Sequence, residues 1–501
     1  MQRLVRFVLP SVLALGLAGW ALPAGAGHNA DVHSANMSNL FNSGPTSAVN
    51  SDIAFWGNRA YYGNYNGFRI YDISNPASPS LLRNFSCFGP QNDPVVWKNK
   101  LLFLAIDRTL SGPECGNEAV AHDDPNGWEG VRIFDVSNPA SPTFIKGVYT
   151  DCGAHTITMY PKNSAQILLY VSSYPLRPGP TCGTVNGPAA GRDPVHGVIQ
   201  VIKVPVNNPK AAKEIAEPPI NYPGDSDNQF VASQHGLPGP PVLEPALRAC
   251  HDIAVFVELK LAAAACAEQA QLWSIAPTGI PNTANPLWVY DDSTDSNGAT
   301  QDPADPEVAV DFWHSATFSQ DGSVVNFIDE SFADPGVDSC PPVTTITDPD
   351  SGNPGPSDTG RMFFLDTATG TLHSTFMIPR TEGAGPCYNS AHLGNTVATA
   401  DADLLVNAWY MGGVDVIDFS DPTSPTEVAH YDIAPAGATG SDNWSAYWYE
   451  GPTALGSDTL TIYATDGVHS PSTGRGAQVF KVTGLGVGEA NLGHLNPQTQ
   501  G

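Results

Sequence analysis

Four histidines, His155, His251, His314 and His392, each open a short, mostly apolar stretch: HTITMY, HDIAVF, HSATFS and HLGNTV. Ser51, Asn92 and Trp444 stand at the same register of SDIAFW, NDPVVW and WSAYWY. Residues at one register of a repeated strand are brought to one level of a fold. Imidazoles converging there can ligate zinc, copper or iron through a neutral ring nitrogen. Asp252 and Asp311 lie close to two of these histidines. They can orient the imidazoles through hydrogen bonds, or simply cap turns. The histidines themselves can equally bond to backbone and fix each repeat, so the pattern alone leaves both roles open.

The elements that would position them are short strands. Residues 51–85 divide into DIAFW, RAYYGNY, FRIYDIS and PSLLRNF, separated by turn residues. Four such strands make one propeller blade. Further third strands begin near Val131, Val198, Gln271, Arg361, Val414 and Ala477. The expectation is an all-β, seven-bladed propeller with four-stranded blades. Its last blade lacks a fourth strand after AQVFKVTG. NMSNLF, at residues 36–41, is expected to supply it and close the ring, which removes exposed strand edges. First strands line a propeller's channel, so the histidines should converge near one mouth.

Three corners between third and fourth strands are nearly the same phrase: GFRIYDISNPASP, GVRIFDVSNPASP and GVDVIDFSDPTSP. They resemble LVIVD repeats, found in exported bacterial β-propellers. The resemblance covers roughly residues 33–483, and the third strands at 198, 271, 361 and 477 depart from the full motif. It implies a propeller and an exported location. It implies no settled activity, so no catalytic residue is carried over.

Composition narrows the setting. The chain has 501 residues with a formal charge of −28. That argues against nucleic acid, which needs a basic footprint, and against an anionic membrane surface. Arg3 and Arg6, an apolar run to about Leu22 and the small Ala24-Gly25-Ala26 read as a secretory leader. The expected division is a leader at 1–26, a propeller at 27–484 and a tail at 485–501. No later stretch reads as a membrane span.

The eight cysteines suggest disulfides in an exported chain. Cys250 and Cys266 lie eight residues on either side of Glu258, where a hairpin should turn, so they should face each other. Sequential pairing is the expectation for Cys87 with Cys115, Cys152 with Cys182, and Cys340 with Cys387.

Acidic loops from Asp291 and Asp348 offer oxygen ligands for calcium but lack EF-hand spacing. Trp409, Tyr410, Trp444, Tyr447 and Trp448 could stack on a sugar, though most read as packing. No G-x-S-x-G, phosphate-binding loop, H-E-x-x-H or dinucleotide fingerprint occurs. The leading expectation is a secreted or cell-surface scaffold binding an extracellular protein, glycan or small molecule. The alternative is a metal-dependent hydrolase or oxidase using the four histidines.

Overall fold

The computed structural model describes residues 30–487 apart from 122–123, 174–196, 224–229, 232–242, 245–248, 268, 292–309, 311, 331–359, 380–389, 400, 411, 434–442, 451–457, 468–471 and 473. The expected leader, nearly all of the tail, Asp311, Cys182, Cys340, Cys387 and most of both acidic loops lie outside the described residues.

Five four-stranded antiparallel sheets follow one another in the chain, spanning 50–86, 91–149, 156–216, 253–291 and 313–376. Two more four-stranded groups, 390–432 and 443–483, join through a single parallel bridge between Leu393 and Ser445. The fourth place in the 443–483 group is taken by Met37–Asn42, which pairs antiparallel with Ala477–Thr483. Val32–His33 pairs with Tyr431 and Asp432 on the outer strand of the preceding group. Among the described residues the one helix is a single short turn, Pro209–Ala211. None is long and apolar enough to cross a membrane.

Within each sheet, burial falls from the first strand outward. Asn50–Trp56 and Gln91–Trp97 are almost wholly buried, while the fourth strand Ser80–Ser86 is largely exposed. The cores lie between sheets rather than within them. Ala54 and Tyr61 pack with Val96 and Phe134, Ile157 and Ile202 with Val95 and Ile133, and Ala254 and Phe256 with Phe318 and Phe327. The last group packs on the first, with Tyr447, Tyr449 and Tyr463 against Ile53 and Phe55. Each fully buried aliphatic or aromatic side chain at such a seam contributes roughly 1.5–3 kcal/mol. Consecutive first strands are neighbours all the way round, Asn443–Trp448 touching Asn50–Trp56. The sheets therefore surround a central axis.

The repeated corner has a local cause. Asp72 Oδ1 accepts from the Ser74 N–H at 2.8 Å and from its hydroxyl at 2.6 Å, and Asn75 Oδ1 accepts from the Ala77 N–H at 3.2 Å. Asp135 with Ser137 and Asn138 with Ala140 repeat these bonds at 2.9 and 3.2 Å, and Asp418 with Ser420 and Asp421 with Thr423 at 2.9 and 3.0 Å. Short acidic and amide side chains thus close the turn that the backbone alone leaves unsatisfied. The glycine that opens each motif is also required. A Cβ on Gly67, Gly130 or Gly413 would meet the carbonyl oxygen of Phe85, Val148 or Tyr431 at 2.0, 2.2 or 2.4 Å.

Among the described residues Cys87 pairs with Cys115 and Cys250 with Cys266, and Cys152 is also disulfide-bonded. The hairpin carrying Cys250 departs from the expected register. Its turn covers 257–260, Phe256 faces Leu261 and Ile253 faces Ala264, one residue out of step with a Cys250–Cys266 pairing. The step is recovered at His251 and Asp252. The His251 N–H donates to the Ala265 carbonyl at 2.8 Å while Ala265 donates back to Asp252 at 3.0 Å, so two residues oppose one. That β-bulge restores the cysteine pairing.

Candidate functional site at the axial mouth

The bulge recurs wherever a first strand begins. Register slips between Asn50 and Ile53, Gln91 and Asp93, Trp313 and Ser315, Ala391 and Gly394, and Asn443 and Ala446. At Ser172 the same effect appears as a bond from the His155 N–H beside a pairing with Thr156. A bulge re-aims the side chains next to it. Here it sets Ser51, Asn92, His155, His251, His314, His392 and Trp444 at one register, and ring contacts bring His155, His251, His314, His392 and Trp444 together, whereas the Asn92 amide donates to the Asn64 and Cys87 carbonyls.

The four histidines form an unbroken arc. Ring centroids lie 4.5 Å apart for His155 and His251, 3.7 Å for His251 and His314, and 4.1 Å for His314 and His392. Trp444 and Tyr410 continue the arc at 4.9 and 4.6 Å from His392. Burial, followed by the neighbouring imidazoles, holds His251 and His314 well below the usual histidine range. Both are therefore neutral near pH 7, the form that binds metal.

The carboxylates divide the arc. His155 Nδ1 lies 2.8 Å from Asp107 Oδ2, and its Nε2 lies 2.8 Å from the Gln91 amide. His251 Nδ1 lies 3.1 Å from Asp252 Oδ2. Glu330 spans the other two, its oxygens 3.5 Å from His314 Nε2 and 3.6 Å from His392 Nε2. Two sets bring metal-ligating atoms within 4.8 Å of one another: His251, Asp252 and His314, and His314, Glu330 and His392. His155 belongs to neither.

Glu330 and Asp107 were not singled out in the sequence. They occupy equivalent places, each donating its N–H to the carbonyl two residues before a bulge, Pro90 at 2.8 Å and Phe312 at 3.0 Å. An antiparallel second strand ends where the first begins. Aligning second strands as well as first strands would have found both residues.

One residue further along each first strand, the side chains stitch the ring together. Asp93 accepts from the Ile157 N–H at 3.0 Å, Thr156 donates to the His251 carbonyl, and Ser315 donates to the His392 carbonyl at 2.9 Å. Burial and the charge of nearby Asp52 push the Asp93 and Asp252 carboxyls well above the usual range. Asp52 also hydrogen-bonds Tyr447, whose phenol is raised by burial first and then by that carboxylate. Trp409, Tyr410, Trp444, Tyr447 and Trp448 are all buried, so they pack, as the sequence leads one to expect of most of them, and present no platform for a sugar.

A ring of four-stranded sheets whose first strands face a common axis defines a β-propeller. Within it, the LVIVD repeat matches residues 49–86, 126–150 and 408–433. Those are the sheets whose corners carry the repeated phrase, so three sheets of the chain carry LVIVD repeats. No curated protein matches the sequence. Among solved structures, it is similar to the β-propeller domain of Cps50 (Swd1) from Myceliophteria thermophila, at 8% identity and a TM-score of 0.47, covering 88% of this chain and 99% of that one. It is also similar to Sqt1 from Saccharomyces cerevisiae, at 8% identity and a TM-score of 0.46, covering 92% and 100%.

Proposed function

We propose that this chain is an exported, seven-bladed β-propeller, closed by Met37–Asn42, that binds a cationic ligand outside the cell at the histidine end of its axis. Residues 1–26 serve as the leader, 27–484 as the propeller and 485–501 as its tail. The supporting observation is one of topology. Strands alternate in direction, so connections from a second to a third strand, and from a fourth to the next first strand, leave at the end where the first strands begin. The long connections 173–199, 217–252, 292–312 and 330–361 all belong to that class. The opposite end carries the short corners 73–79 and 136–142. Long loops on a rigid scaffold carry recognition. Two of these connections hold the acidic sequences DSTDSNGATQDPADPE and DPDSGNPGPSD, and negative charge of that kind favours a basic partner.

The test uses secreted protein and a library of basic peptides. Its N-terminus should be Gly27. Shortening 331–359 should abolish peptide binding, while Asp72→Ala at the opposite end should leave it intact. An N-terminus at Met1, or equal binding by both variants, would overturn the proposal. A metal-dependent hydrolase or oxidase is the second reading, favoured by the His314, Glu330 and His392 set. It predicts turnover of an ester or oxidisable substrate that ceases on chelation.

A further inference from the structure

The geometry points to a binding site for one divalent transition-metal ion formed by His314, Glu330 and His392. This deepens the mouth-end reading above, and rests on it only for the site's place in the fold.

Two observations carry it. The first is distance. Glu330 oxygens stand 3.5 and 3.6 Å from the Nε2 atoms of His314 and His392. A direct charge-assisted hydrogen bond between such groups is about 2.7–2.9 Å. Two ligands each about 2.1 Å from a tetrahedral ion sit about 3.4 Å apart. The spacing suits a shared ion better than a direct bond.

The second is tautomer. His392 Nδ1 lies 2.5 Å from the Trp444 carbonyl. A carbonyl only accepts, so Nδ1 carries the proton and a neutral His392 presents its Nε2 lone pair towards Glu330. Acceptor then faces acceptor, and a cation between them resolves the conflict. A backbone carbonyl behind the ligating imidazole is the usual support for such a histidine.

The donor set selects the ion. Two imidazoles and one carboxylate suit zinc or another divalent transition metal, whereas calcium and magnesium prefer all-oxygen cages. Three protein ligands leave a coordination position for water or for a donor atom of the bound ligand.

The experiment titrates Zn²⁺ into chelator-stripped full-length protein, with Glu330→Gln, His314→Gln, His392→Gln and His155→Gln beside the wild type. Circular dichroism checks each fold. The expected result is about one zinc per wild-type chain. Affinity should fall at least the roughly 10–100-fold that even a ligand's hydrogen-bonding partner contributes in the first three variants. His155→Gln should keep its zinc. Calcium should not compete. Undiminished zinc affinity in folded Glu330→Gln, zinc loss in folded His155→Gln, or calcium binding at equal strength would each overturn the assignment. Peptide binding by the wild type without zinc would preserve the mouth-end reading even if the metal assignment fell.

Discussion

The two ends of a blade obey different rules. At the corners 72–79, 135–142 and 418–425, both residues and bonds repeat, with an aspartate oxygen accepting a backbone N–H at 2.8 to 2.9 Å each time. At the mouth the backbone repeats but the residues do not. The same slip in register presents Ser51 in one sheet, Asn92 in the next and histidines in four others. A corner side chain closes its own turn, so the backbone dictates its type. In the bulge at His251 the backbone groups find partners without help from the side chain. That leaves the imidazole available for chemistry.

The largest break in this comparison should come from the disulfide beside the mouth. Cys250 and Cys266 are 16 residues apart, and closing a loop of that size contributes about 3 kcal/mol. Replacing both with serine should lower unfolding stability by about that amount in a denaturant titration. A loss under about 1 kcal/mol would mean that the bulge holds its register unaided.

Next come the glycines near the mouth-end start of the third strands, opposite the corners. Gly67→Ala or Gly130→Ala drives a methyl into a backbone carbonyl where φ is +142° or +139°. The expected cost is about 1–3 kcal/mol at either position, and unequal costs would show that the blades are less interchangeable than their corners suggest. Asp72→Ala, Asp135→Ala and Asp418→Ala should each cost about 0.5–1 kcal/mol.

A further effect is one of pH, and its sign differs between the ends. Hydrogen bonds from Ser74 hold the Asp72 carboxyl below its usual range, so its contribution is present above about pH 4 and is lost as pH falls. At the mouth end, burial and then the charge of Asp107 push Glu129 up to about 8. The folded protein keeps a proton that the unfolded chain releases above about pH 4.5. Glu129 therefore stabilises fully below that pH and ceases to do so as pH rises through about 8. Glu129→Gln should flatten the decline in melting temperature between pH 5 and pH 8. An unchanged slope would assign the decline to other groups.

Much of the scaffold was legible in the sequence because its signals are local. The third strands at Gly67–Asp72, Gln269–Ser274 and Gly413–Asp418 fall where turn residues bound apolar runs. The strand at Met37–Asn42 was readable from an incomplete last repeat. The bulges were not, since nothing in HDIAVF separates a regular strand from one that slips by a residue. The roles within the histidine arc were equally hidden. His155 and His314 begin similar stretches, yet one meets Asp107 at 2.8 Å and the other Glu330 at 3.5 Å.

The sequence by itself determined the strands, their corners and the common register of the histidines, because each depends on residues close together in the chain. Only the tertiary structure decided which carboxylate faces which imidazole. Glu330 reaches His392 from another sheet, across 62 residues of chain, and that meeting depends on how two sheets pack around the axis.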